Sequence, residues 1–200
     1  MYNKSDKKII LEIVTQSFLD NPRIRTIIKR KDPQKKIRVM AEYAYTLIER
    51  LNGVYLSEDK TTVIFYYRKS LFKRSFTDSI RYIRMFLLCI KPSQLIKTYK
   101  REKYIESLRP DLDDYIYVWV LGSVKNNDSL KGLADIRDHL FGFSEKTQLP
   151  VLIETTVKRM LGFYRYVGFK VYKEWYDEED ELKVWLLKRE PIKEQSHETS

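Results

Sequence analysis

Tyr115-Ile-Tyr-Val-Trp-Val-Leu-Gly-Ser-Val124 is apolar at almost every position, and a strand with no polar face is covered on both sides. This stretch predicts the central strand of a sheet with helices on either face. The ten residues after it, Lys125-Asn-Asn-Asp-Ser-Leu-Lys-Gly-Leu-Ala134, change the period. A polar loop, Lys125 to Asp128, gives way to a helix opening at Ser129 whose stripe is Leu133, Ile136, Leu140 and Phe143. Unpaired N–H groups at a helix start, with the positive end of its dipole, suit an anion such as a pyrophosphate. Gly132 and Ala134 have little or no side chain, so phosphate oxygens can approach the main chain there.

Working outward, Pro150 precedes a second buried strand, Val151-Leu-Ile-Glu-Thr-Thr156, which leads into a helix running through Tyr164 and ended by Gly168. Two strands follow, Phe169 to Trp175 and Leu182 to Lys188, around the acidic turn Asp177 to Glu181. Upstream, Ile9, Ile10, Ile13, Val14 and Phe18 share one helical face, capped by Ser5 and Asp6 and stopped by Asp20-Asn21-Pro22. A second helix from about Gln34 carries Ile37, Met40, Ala41, Ala44, Ile48 and Leu51 and ends before Gly53. Gly53–Ser57 and Thr61–Tyr67, around Glu58-Asp59-Lys60, read as a hairpin. Two helices broken at Lys91-Pro92-Ser93 and closed by Arg109-Pro110 complete the order. Their apolar positions Ile80, Ile83, Phe86, Leu87 and Ile90, then Leu95, Ile96, Tyr99 and Tyr104, keep helical spacing, which predicts one packed side and one charged side. The reading is an α/β fold of mixed α+β type, a sheet covered by helices. Residues 1–189 form one domain with a basic helical insertion at about 70–110, and residues 190–200 form a polar tail.

A 200-residue chain that is 43% hydrophobic, with 15 Tyr, 9 Phe and 3 Trp, buries a sizeable core, which excludes disordered, collagenous and coiled-coil classes. Cys89 is the single cysteine; it makes no internal disulfide and is expected in the core of its helix. His139 and His197 lack partners at metal-ligand spacing, so no metal is expected. The longest greasy stretch, Met85 to Ile90, is far short of the roughly 20 residues that span a bilayer. With no signal core at its start, the expectation is a cytoplasmic protein without a membrane partner. Net charge is +10, unevenly spread: residues 1–110 hold 25 Lys or Arg against 11 Asp or Glu, whereas residues 111–200 hold 13 against 17. One charged lobe follows, rather than a uniformly cationic particle.

From Val124 to Ala134 the spacing resembles the acyl-CoA motif of the GNAT superfamily of N-acetyltransferases, in which a central strand ending in Val is followed by Gln or Arg, two residues, Gly, one residue, Gly or Ala. Ser129 stands where the family has Gln or Arg. Leu152-Ile-Glu-Thr-Thr156 is similar to the family's next strand, and Phe163-Tyr-Arg-Tyr-Val-Gly-Phe169 to its helix-ending signature. The resemblance implies a central mixed, mostly antiparallel sheet splayed between two parallel strands. The acyl-CoA pantetheine would bond to the main chain of Gly122, Ser123 and Val124, with Gly122 suited to a bulge that opens the pair. The pyrophosphate would sit on Ser129, Leu130, Lys131, Gly132, Leu133 and Ala134.

Acetyl transfer to a primary amine by direct attack on the thioester needs a base, oxyanion donors and an acid for the departing thiolate. Tyr164, at the family's position, is the expected acid. Tyrosine at about 10 and thiol at about 8.5 make that transfer uphill by about 2 kcal/mol in water. Glu154, which interrupts an apolar strand, is the expected base, with Asp113 and Asp114 as runners-up. Met160 stands where related enzymes carry Asn, which removes an amide contact to CoA. The expected function is an acetyl-CoA-dependent N-acetyltransferase whose basic insertion builds a pocket for a small-molecule or peptide amine acceptor, steering CoA phosphates or selecting an acidic acceptor. A basic nucleic-acid-binding module and an inactive acyl-CoA-binding sensor are the alternatives.

Overall fold

The computed structural model describes residues 2–124, 129–178 and 180–192, with Ser129 placed by its main chain alone. The expected Lys125–Asp128 loop, most of the C-terminal tail and His197 lie outside the described residues. Helices α1 (Lys4–Leu19), α2 (Pro22–Ile27) and α3 (Pro33–Glu49) precede the hairpin β1 (Val54–Leu56) and β2 (Thr62–Arg68). Helices α4 (Phe76–Cys89) and α5 (Leu95–Ser107) come before β3 (Ile116–Ser123). Then follow α6 (Ser129–Thr147), β4 (Val151–Thr155), α7 (Lys158–Tyr166), β5 (Lys170–Asp177) and β6 (Leu182–Arg189).

Local chemistry sets several boundaries away from expectation. Asn3, rather than Ser5 or Asp6, caps α1, its side chain accepting the Asp6 N–H at 2.8 Å. Asn21 and Pro22 do stop α1, but they also start α2: Asn21 accepts the Ile24 N–H and Pro22 occupies the first helical position, where its missing donor costs nothing. Gly168 ends α7 with φ +95°, a conformation that glycine adopts without penalty.

The six strands lie in the order β1-β2-β3-β4-β6-β5, antiparallel except for the β3/β4 pair. Alternate residues face opposite layers. Val63, Phe65, Tyr67, Tyr117 and Leu152 pack under α1 and α3, whereas Ile64, Tyr66, Ile116, Val118 and Ile153 pack under α6 and α7. On the α1/α3 face, α5 covers the far end of the sheet, with Ile105 against Val184 and Leu186. Helix α4 leans on α3 through Met85 and Cys89 against Tyr43 and Leu47. The sheet between α3 and α5 is thus left uncovered on this face.

The insertion packs by only part of the stripe its apolar spacing suggests: Ile90 is buried and Phe86 and Leu95 are half-buried, but the other positions are not. Phe76, Ile80, Ile83 and Leu87 are 83%, 50%, 56% and 55% exposed, and Ile96, Tyr99 and Tyr104 of α5 are also exposed. The face that α4 buries contains Asp78, Met85 and Cys89. Asp78 wins its buried place through bonding: it completes a capping box with Ser75 and meets Arg50 of the α3 end at 2.6 Å.

Burial opposes the Asp78 charge, but the hydrogen bonds from Ser75 and Arg50 and the Arg50 charge outweigh it and hold the carboxyl at about 2, below its ordinary 3.8. A depressed folded value gives stability that is present above the ordinary value and lost as pH falls through the folded one. Thermal unfolding between pH 5 and pH 2 is therefore expected to show a loss of stability below pH 4 that Asp78→Asn, already destabilised at neutral pH, shows to a smaller degree.

Candidate functional site

The parallel pairing of β3 with β4 lasts for three positions, Ile116 with Val151, Tyr117 with Leu152 and Val118 with Ile153. Beyond them β3 continues to Ser123 while Glu154 and Thr155 stay paired to β6. The two strands splay apart. The cause lies one residue after the last pair: on the β2 side the register passes from Tyr66 with Val118 to Phe65 with Val120, so Trp119 is an extra residue bulged from the ladder. The bulge expected at Gly122 is therefore at Trp119, and Gly122 pairs regularly with Val63. Gly122 serves packing instead, because a Cβ there would lie 3.1 Å from Ser17 Oγ of α1.

Antiparallel strands turn successive main-chain groups to opposite edges. The Val124 N–H donates to Thr61 O at 2.9 Å, toward β2, so Leu121 and Ser123 face the splay. The Ser123 N–H donates to Ser17 Oγ at 2.8 Å, and that hydroxyl lies 2.9 Å from Ser123 O and 2.7 Å from Ile13 O. The main-chain groups expected to receive a ligand at Gly122, Ser123 and Val124 are thus engaged within the protein. Leu121, which the sequence did not single out, presents its amide to the opening.

Over the splay, between α3 and α5, lies a cavity of about 610 Å³. Its walls include Tyr43, Tyr67, Tyr82, Tyr117 and Trp119, and helices α4 and α5 close one side. Glu154 projects into it. The Tyr117 hydroxyl faces this carboxylate, and its acidity is suppressed first by burial and then by the Glu154 charge. Glu154 Oε2 is buried without a hydrogen-bond partner. Arg109 lies 3.8 Å over the Tyr117 ring and acts electrostatically on Tyr67. Burial pushes the Tyr67 hydroxyl up to about 12 despite that guanidinium. Glu102 accepts the Tyr82 O–H at 2.8 Å, and burial raises its carboxyl above the ordinary value. The runner-up Asp114 serves structure, accepting from Arg68 and from the Ser70 N–H and hydroxyl.

Tyr164 is on the other face. It packs with Val118, Ile136, Ile153 and Phe169 beside a small apolar cavity of about 30 Å³, and burial raises its hydroxyl well above the ordinary value. Tyr164 and Glu154 therefore flank the splay from opposite sides and do not share a cavity. Met160 packs against the same cluster. His139 stacks on Tyr55 with centroids 3.7 Å apart and bonds Tyr66 through Nε2, a structural placement.

The first turn of α6 presents Leu130 and Lys131 to solvent, but the space above Gly132 is taken. A Cβ there would lie 2.3 Å from Thr61 Oγ1, 2.6 Å from Thr62 Oγ1 and 3.0 Å from Asp59 Oδ1. Burial opposes the Asp59 charge, yet bonds from Ser57, Thr61 and the Gly132 main chain hold its carboxyl below the ordinary value. The Glu58 N–H and the Tyr55 hydroxyl bond Asp135, half-buried beyond Leu133 and Ala134. The β1–β2 turn thus places an anion of its own on the helix start.

The basic segment pairs part of its charge within the protein. Arg68 pairs with Asp114, Arg101 with Asp177 and Lys103 with Glu106, while Lys69 and Lys91 bond main-chain carbonyls. This leaves less of a continuous phosphate-binding face than the composition suggests.

No family model matches the chain, and no curated protein does. Solved structures match over nearly the whole length. A Corynebacterium glutamicum protein described as histone acetyltransferase HPA2 and related acetyltransferase is 13% identical with a TM-score of 0.63, covering 96% of this chain and 94% of that one. The C-terminal condensation domain of Ebony in complex with beta-alanyl-dopamine is 8% identical with a TM-score of 0.69, covering 94% and 96%. Arylalkylamine N-acetyltransferase 2 from Aedes aegypti is 12% identical with a TM-score of 0.58, covering 96% and 98%.

The two α6 glycines separate packing from propensity. Gly132→Ala is expected to lower stability by about 1–3 kcal/mol through overpacking against Thr61 and Thr62. Gly142→Ala, with nothing within 4 Å of the added Cβ, is expected to raise it by about 0.5–1 kcal/mol. Denaturant unfolding of both variants measures the difference.

Proposed function

We propose that this chain, whose fold is that of the GNAT-type acetyltransferases, transfers the acetyl group of acetyl-CoA to a primary amine seated in the aromatic cavity. The observation that carries this reading is the splay itself: a strand pair that ends after Val118 and Ile153, with a large cavity on one face and Tyr164 on the other. Acetyl-CoA supplies the thioester; the protein's own groups orient it and move protons.

Pantetheine would lie in the opening beside Trp119 and Leu121, where the bulge widens the gap and the Leu121 amide offers a donor for the oxyanion. Glu154 accepts the proton that an ammonium must lose before it attacks, because it lines the cavity with a carboxylate whose Oε2 is unpartnered. Tyr164 is the proposed acid for the thiolate, an uphill transfer that burial makes steeper. Lys131, exposed on the first turn of α6, and the Leu130–Ala134 main chain receive the pyrophosphate by exchange with the Asp59 carboxylate. One neighbour is named for arylalkylamines and another is described in complex with beta-alanyl-dopamine, and the tyrosine and tryptophan walls here suit an acceptor with a flat apolar body.

A second reading, an acyl-CoA-binding protein without turnover, is favoured by Asp59 on the helix start and by the distance of Tyr164 from the cavity.

Calorimetric titration with acetyl-CoA and an amine screen test the two. Acetyl-CoA binding with turnover is expected, Glu154→Gln lowering kcat by about a hundredfold to ten-thousandfold with CoA affinity unchanged. Tyr164→Phe lowers kcat at unaltered stability if the hydroxyl is the acid. Binding without turnover on any amine selects the second reading, and absence of binding rejects both.

A further inference from the structure

The cavity holds opposite charges on one wall, and each has a buried atom with nothing to bond. Glu154 Oε2 lacks an acceptor's partner, and Arg109 Nε and Arg101 Nη2 lack a donor's. Such atoms are costly when buried, since each has given up water without compensation. Glu154 and Arg109 are also close together. Arg109 covers the Tyr117 ring at 3.8 Å, and Glu154 lines the same cavity and acts electrostatically on both Tyr117 and Arg109, so anion and cation face one ring.

A simple amine satisfies Glu154 and leaves the guanidinium donors unmet, and a simple acid does the reverse. A polyamine fares worse. Its second ammonium would meet the Arg109 guanidinium over the Tyr117 ring and leave the donors there unmet. We propose that the acceptor bears a carboxylate within a few bonds of its amine, on a flat apolar body: an aromatic amino acid in the broad sense, its ammonium toward Glu154 and its carboxylate toward Arg109. In calling this ligand the acceptor, the inference rests on the acyl-transfer reading; its binding does not.

Equilibrium titration in the absence of CoA tests it with four probes: phenylalanine, 3-amino-3-phenylpropanoate, phenethylamine and 3-phenylpropanoate. At least one amino acid is expected to bind about tenfold or more tightly than both single-charge controls. Arg109→Gln removes the advantage over phenethylamine without weakening phenethylamine itself, and Glu154→Gln removes the advantage over 3-phenylpropanoate. Arg109→Lys, which keeps the charge if the glutamine variant fails to fold, retains a preference for the amino acid. Equal binding of phenethylamine and the amino acids, or no binding of any probe, overturns the inference. A separate CoA titration keeps the two readings apart: CoA binding beside failed probes rejects the amino acid alone, and lost CoA binding beside a bound amino acid rejects acyl transfer alone.

Discussion

A parallel ladder that stops after three residue pairs governs the rest of this molecule. One extra residue, Trp119, rotates the outer half of β3 away from β4, and the sheet stays continuous because β4 keeps all five of its pairings to β6. The hydrogen bonds forgone are thus confined to one edge, at Leu121 and Ser123. Ser17 of α1 offsets part of that loss by bonding Ser123. The opening is cheap because α1 and β4 hold its two sides independently.

Strand parity then divides the labour. Leu152 and Glu154 face α1, α3 and α5, and Ile153 between them faces α6 and α7. A one-residue difference in register would exchange the carboxylate for an isoleucine in the cavity wall. The same parity brings Tyr117 beside Glu154 and Val118 beside Tyr164, so each face of the splay receives its own chemistry: wet and charged on one, dry on the other. Arg109, at the exit of the insertion, reaches back over Tyr117 and ties the helical segment to the floor of the sheet.

The elements with uniform burial were legible from sequence: β3, β4, the hairpin and the α6 stripe all announce themselves by composition, and Glu154 stands out as the lone charge in an apolar strand. What escaped depends on how elements meet. The bulge at Trp119 is fixed by the β2 partner, and the pairing of Tyr117 with Leu152 depends on a parallel register that nothing local encodes. Gly132 reads as room for a phosphate, yet it is room for Thr61, Thr62 and Asp59, 70 residues distant along the chain. In α4 two apolar stripes compete, and the expected one is exposed at Ile80, Ile83 and Leu87, because Asp78 finds Arg50 and Ser75 and takes the buried side with it. A strand followed by a small-residue helix start remains a sound sign of the fold, while the bonds made there are a tertiary matter.

Cys89 sits at zero exposure where α4 leans on α3, its thiol 3.4 Å from Lys36 O and pushed toward the protonated form by burial. As the chain's single thiol, it stays silent to alkylating reagents while α4 is seated and becomes reactive only when the helix lifts. The wall of the cavity therefore carries its own clock: the rate at which this one sulfur is labelled in the native state counts openings of the insertion, without any added probe.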